Sequence, residues 1–146
     1  MSIFSSINIS TTALTAEKTR IDIIAKNMAN ANTTRTTGGT PYRRQMVVFE
    51  EAKPNSFSKY LDKHLSNING QGVKISRIVE DESPFKLVYE PGHPDADENG
   101  YVRLPNVDIM KEMVDLISAQ RAYDANITAI NTSKSMLMKA LEIGRR

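Results

Sequence analysis

The chain has 146 residues, 40% of them apolar and 25% charged, with 19 basic against 17 acidic side chains and a net charge of +2. That length allows one ordinary core but not a large one. The absence of cysteine excludes disulfide scaffolds, thiolate zinc sites and thiol nucleophiles, and no dense Lys/Arg run accompanies the pI near 8.9, so no nucleic-acid partner is expected.

The start, MSIFSSINISTTALTAEKTR, carries no basic side chain before Lys18, and Ser, Asn and Thr interrupt its apolar residues every few positions. This is not the pattern of a secretory signal, so any export is expected to proceed without a cleaved signal peptide. Apolar runs such as Met46 to Phe49 fall far short of the ~20 residues that cross a bilayer, and no direct membrane insertion is expected.

From Ile3 to Ala31 apolar residues recur at helical spacing, with Ile7, Leu14, Ile21 and Met28 seven apart. The companion position holds Ile3, Ser10, Glu17, Ile24 and Ala31, so the seam is apolar at its ends and polar in the middle. Residues 1–33 are therefore expected to be an N-terminal helical segment.

The pattern changes in residues 34–104, which are expected to form a β-rich middle domain. Thr33 to Pro41 is a Thr/Gly loop, and strands are expected at Tyr42–Glu50, Val73–Val79, Phe85–Tyr89 and Tyr101–Leu104. Residues 52–71 are mostly polar and are expected to be a mobile, exposed excursion.

Between the last two strands lies PGHPDADENGY, in which Asp95, Asp97, Asn99 and Gly100 match the opening of an EF-hand calcium loop. Two features weigh against calcium. The twelfth loop position, which carries a bidentate Glu in an EF-hand, is Asn106 here, and Pro91 and Pro94 exclude the preceding helix. An acidic turn that uses Asn99-Gly100 for positive φ is the expected structure.

Residues 105–146 are expected to form a long C-terminal helix that packs with the first. Pro105 and a cap at Asn106 or Asp108 mark its start, and Gly144 marks its end. Its stripe runs through Val107, Met110, Val114 and Ile117, then continues one residue out of phase as Tyr123, Ile127, Ile130, Leu137 and Leu141. The fold class that follows is α+β, with long N- and C-terminal helices paired as a coiled coil around a small β-rich insertion.

The first twelve residues are rich in Ser, Thr and Asn, so the first helix depends on packing to offset roughly 1–2 kcal/mol of backbone entropy per residue. Two helices bury only part of both stripes. The remainder packs either on the β middle or on other chains.

No Gly-x-Ser-x-Gly, Walker loop or dinucleotide-binding turn is present, and His64 and His93 lack metal-ligand spacing. No enzyme activity, catalytic residue, cofactor, metal or small-molecule substrate is expected.

Three segments carry a resemblance. DIIAKNMANANTT from Asp22, followed by Tyr42-Arg43-Arg44 and Val47-Val48-Phe49, resembles the N-terminal signature of the bacterial flagellar basal-body rod family. NVDIMKEMVDLISAQRAYDAN from Asn106 is similar to that family's C-terminal segment. YEPGHPDAD from Tyr89, with Gly100-Tyr101-Val102 and Pro105-Asn106-Val107, resembles a proximal-rod member.

The resemblance implies a structural subunit of the periplasmic rod, the tubular shaft that carries torque from motor to hook. It implies export through the flagellar type III channel and self-assembly through paired terminal helices. The implied partners are other rod subunits, copies of itself, and rod-base and export-apparatus components. A different rod subunit or a rod-base adaptor is the alternative within the family, and a calcium-binding module at residues 95–100 is the alternative from another class.

The expected assembly interface is Ile7, Leu14, Ile21, Ile24, Asn27, Met28 and Asn30 from the first helix. From the last helix it is Val114, Ile117, Arg121, Tyr123, Ile127, Ile130, Leu137 and Leu141. Asn27 and Asn30 either set register inside a helical layer or cap a frayed helix end. Arg121 and Tyr123 serve either subunit contacts or packing within the chain, and the same choice holds for Met110, Met113, Met136 and Met138. Arg43 and Arg44 are expected on a solvated strand edge, with acidic neighbours in the rod, or phosphate, as the alternative.

Overall fold

In the computed structural model, residues 3–52 and 72–144 are described. Helix α1 spans Ile3–Ala29, strand β1 Gln45–Glu51, β2 Val73–Glu80, β3 Lys86–Tyr89 and β4 Tyr101–Leu104, and helix α2 closes the order at Ile109–Gly144. The expected excursion at 52–71 lies, apart from Ala52, outside the described residues.

The hydroxyl-rich start of α1 is helical with its threonines bonded back to the helix. Thr11 Oγ1 donates to Ile7 O at 2.8 Å, and Thr12 Oγ1 donates to Ile9 O at 2.7 Å. The helix ends two residues before Ala31, where the Asn30 amide and backbone N–H both close on Lys26 O. Helix α2 starts where Asp108 Oδ1 accepts the backbone N–H of Met110 at 3.0 Å, so Asp108 rather than Asn106 is the cap.

The strands form two ribbons, β1 with β2 and β3 with β4. In the second, antiparallel register sets Leu87 opposite Arg103, Val88 opposite Val102 and Tyr89 opposite Tyr101. Val102 faces inward at 1% exposure, whereas the alternating Leu87 and Tyr89 are more than 60% exposed. Tyr89 and Tyr101 meet edge to face, ring centres 5.3 Å apart.

The chain divides into two compact units. Of the described residues, the first takes in 3–18, 49–52, 72–76 and 120–144, and the second Thr19–Val48 and Arg77–Ala119. In the first, Thr12 Oγ1 accepts the backbone N–H of Val73 at 3.2 Å, beside Gly72. Gly72 has φ +81°, and a Cβ there would lie 2.1 Å from Thr12 Oγ1, so both the conformation and the close approach require glycine. Lys74 pairs with Glu50 at 3.5 Å across the β1–β2 ribbon in this unit.

The second unit holds a small core. Ala31, Tyr42 and Val107 cluster there, Ile24, Val102 and Ala119 are also buried, and two polar side chains, Asn27 and Glu112, are as buried as any of them. The loop from 90 to 100 in this unit is tied by Asp97, whose Oδ1 accepts the backbone N–H groups of Asn99 and Tyr101, both at 2.9 Å. Asp95 accepts the Thr34 hydroxyl at 2.8 Å, and Gly100 supplies φ +78°. These carboxylates hold the turn, and among the described residues no group of three or more His, Asp or Glu side chains gathers as a metal cluster. No described helix is long and apolar enough to cross a membrane.

A buried polar clasp and the exposed face of the last helix

The second unit is organised around Asn27. Its amide nitrogen donates to Gln45 O at 2.8 Å and to Glu112 Oε2 at 3.0 Å. Its amide oxygen accepts the Tyr42 hydroxyl and the Gln45 backbone N–H, both at 2.9 Å. All four bonds open to a side-chain amide are thereby made. One residue on α1 fixes the start of β1 and the first turn of α2.

Glu112 is fully buried and is matched by Arg44, whose Nε donates to Oε1 at 2.6 Å. The same guanidinium reaches Asp115 at 3.4 Å and Asp81 at 3.8 Å, and Asp115 also meets Arg20 of α1 at 3.9 Å. Asn106 extends the network by accepting the Arg44 backbone N–H at 2.9 Å and donating to Asp81 O and the Ser83 hydroxyl. Burial raises the pKa of the Tyr42 phenol, and the Glu112 and Glu80 charges raise it further. The Asp81 carboxyl is held below its usual range, first by the Ser83 backbone N–H and hydroxyl, with Arg44 and Lys111 adding to the effect.

The arginine expectations need correction. The Arg44 side chain is 12% exposed and faces three carboxylates of its own chain. Arg43 lies 4.5 Å over the Phe85 ring and donates to Asp81 O at 3.0 Å. Neither stands on a solvated edge, because the loop before β1 turns both toward the interior side of the second unit.

Of the α1 interface candidates, Ile24 and Asn27 are buried within the chain, and Ile7, Leu14, Ile21, Met28 and Asn30 are half-buried. Asn30 serves the helix end, accepting the Thr33 hydroxyl in addition to its bond to Lys26 O. Along α2 a shielded stripe runs through Glu112, Leu116, Ala119, Tyr123, Asn126, Ile130, Ser133 and Leu137, spaced alternately four and three apart, with Asp115 and Ala122 half-buried beside it. Met110, Val114 and Ile117 do not lie on that stripe. They are 72%, 67% and 49% exposed, and Ile109 and Met113 beside them are 44% and 45% exposed.

The apparent one-residue phase shift in the sequence therefore reflects two apolar faces rather than one drifting stripe. The first turns of α2 turn Leu116 and Ala119 inward and an aliphatic and thioether strip outward. Arg121, Ile127 and Leu141 are exposed farther along, while Tyr123, Ile130 and Leu137 are half-buried. A shallow depression of about 190 Å³, lined by Ala31, Lys86, Leu104, Val107 and Met110, lies beside the start of the exposed face.

Exposed apolar helix faces over an interior fixed by polar bonds define a structural, assembling class of protein, and comparison with known proteins gives the class its name. The family model for flagella basal body rod proteins matches residues 7–35, and that for the C-terminal part of flagellar basal body rod FlgEFG proteins matches 98–143. The chain belongs to the flagellar basal-body rod family. Among its relatives there is the flagellar basal-body rod protein FlgC of Bacillus subtilis, 52% identical over 151 residues, 99% of this chain and 100% of the relative. FlgC of Borreliella burgdorferi is 51% identical over 98% of both chains, and that of Salmonella typhimurium 42% identical over 99% of this chain and 100% of its own.

Proposed function

We propose that this chain is a structural subunit of the flagellar basal-body rod, of the FlgC kind, which joins neighbouring rod subunits through its terminal helices and transmits torque without catalysing a reaction. The observation that carries this is the doubled character of α2. Glu112, Leu116 and Ala119 are satisfied inside the chain, and Met110, Val114 and Ile117 form an outward apolar strip in a family of assembling rods. An exposed strip of this kind is costly to leave in water and is ordinarily covered by protein.

Under this proposal the partners are copies of the chain, other rod subunits and components of the rod base and export apparatus. The site of action is the periplasmic rod. The remaining interface candidates, Ile7, Leu14, Ile21, Met28, Asn30, Arg121, Tyr123, Ile127, Ile130, Leu137 and Leu141, contribute from the half-buried and exposed parts of both helices. Ile24 and Asn27 act indirectly by holding α1 in place. The domain scheme that accompanies the proposal keeps helical segments at 1–33 and 105–146 and a β-rich middle at 34–104.

The test is a Val114→Asp, Ile117→Asp chain supplied to a strain that lacks its own copy. Val114 is 67% and Ile117 49% exposed, and neither lies on the shielded stripe, so folding is spared. Rod assembly and swimming are expected to be lost while the purified variant unfolds at the parental temperature. Normal swimming would refute the proposal.

A further inference from the structure

The chain has seven methionines and no cysteine, so thioethers are its sulfur chemistry. Their exposure is uneven. Met28 and Met46 are half-buried, whereas Met110, Met113, Met136 and Met138 are 72%, 45%, 54% and 55% exposed, and all four lie on α2. Met110 and Met113 sit one turn apart within the same exposed strip as Val114 and Ile117.

We propose that Met110 and Met113 are an oxidation site that gates assembly: peroxide converts them to sulfoxides in the free subunit, and the oxidised strip no longer enters the rod. The step is a two-electron oxygen transfer. A sulfur lone pair attacks one peroxide oxygen, the O–O bond breaks, the sulfur is oxidised to the sulfoxide and the peroxide is reduced to water. A flexible apolar side chain thereby becomes polar and chiral, with an oxygen that needs hydrogen bonds wherever it is buried. On a strip of five apolar residues, two such oxygens place strong acceptors where a neighbour's side chains must pack dry. The gate is one-sided in time, because an incorporated subunit has the same sulfurs covered. It also has a chemical reverse, since sulfoxides are reducible enzymatically. This inference rests on the assembly role proposed above for the same face.

Two measurements test it. Peptide mapping of the purified full-length chain after graded hydrogen peroxide is expected to show Met110 oxidising roughly threefold or more faster than Met28 and Met46, in keeping with exposure. In cells pulsed with peroxide during rod growth, subunits recovered from isolated basal bodies are expected to be depleted in Met110 and Met113 sulfoxide relative to the unassembled pool. A Met110→Leu, Met113→Leu chain, which keeps volume and polarity but cannot be oxidised, is expected to incorporate equally with and without the pulse. Equal sulfoxide content in rod and pool, or slow oxidation of Met110, overturns the gate. Normal incorporation of the Val114→Asp, Ile117→Asp chain would instead overturn the assembly role, whatever the order of oxidation.

Discussion

Arg44 Nε stands 2.6 Å from Glu112 Oε1, a contact between the start of β1 and the first turn of α2 in which the carboxylate has no exposed surface. Burying two opposite charges costs more hydration than their attraction returns unless every remaining lone pair is met. Asn27 meets the second oxygen, and Asp81 and Asp115 draw on the rest of the guanidinium. The pair ties the start of β1 to the first turn of α2 beside a small buried cluster of Ala31, Tyr42 and Val107.

The clasp is expected to behave as a unit. Arg44→Met leaves the Glu112 carboxylate buried with one amide partner and should destabilise the chain by about 3–5 kcal/mol in urea unfolding. Arg44→Met with Glu112→Leu removes both charges and should recover most of that loss. A double variant as unstable as the sum of its singles would show that the two residues act independently.

Three glycines rank by what surrounds them. Gly39, Gly72 and Gly100 all have positive φ, but a Cβ at Gly39 meets open space, one at Gly100 lies 2.9 Å from the Tyr89 ring, and one at Gly72 lies 2.1 Å from Thr12 Oγ1. Alanine at Gly39 should cost about 1 kcal/mol for conformation alone, with larger losses at Gly100 and the largest at Gly72. Chemical denaturation of the three variants reads the order directly, and an equal cost at all three would mean that the close contacts relax without penalty.

The element types were legible from the sequence because their signals are local. The seven-residue recurrence of Ile7, Leu14, Ile21 and Met28 gave α1, and alternation gave the β3–β4 pair. The start of α2 was narrowed from its neighbours to a cap at Asn106 or Asp108, and the bond from the Met110 backbone N–H decides for Asp108. The clasp was not legible, since Asn27–Glu112 and Arg44–Glu112 join positions 85 and 68 apart. One clue was available: Glu112 is in phase with Leu116, Ala119 and Tyr123, and a charge on an inward stripe demands a buried partner. The β1 boundary slipped for the same reason, because Tyr42 and Arg44 look strand-like locally but are drawn into the clasp.

Two titrations bracket the stability of the second unit. The Asp81 pKa is lowered from 3.8 by folding, so its contribution is complete above that value and is lost as pH falls through the lower folded value. Asp81→Asn should therefore be less stable than the parent at neutral pH, and the difference should shrink in strong acid. The Tyr42 pKa is raised from 10.0, so its contribution is complete below pH 10.0 and is lost as pH rises through the higher folded value. Tyr42→Phe should be less stable at neutral pH by about 1 kcal/mol and lose less on alkaline titration. Thermal unfolding across pH checks both, and parallel curves for variant and parent would remove the assigned causes.

The central claim, that α2 presents one face to its own chain and the opposite one to neighbouring subunits, is tested most directly by photo-crosslinking in intact basal bodies. A photoreactive side chain at position 114, on the exposed strip, is compared with one at position 116, on the shielded stripe. The account predicts that position 114 yields adducts with a second rod subunit, whereas position 116 yields adducts within the chain. Adducts from position 114 confined to the chain itself, in rods that assemble normally, would contradict it.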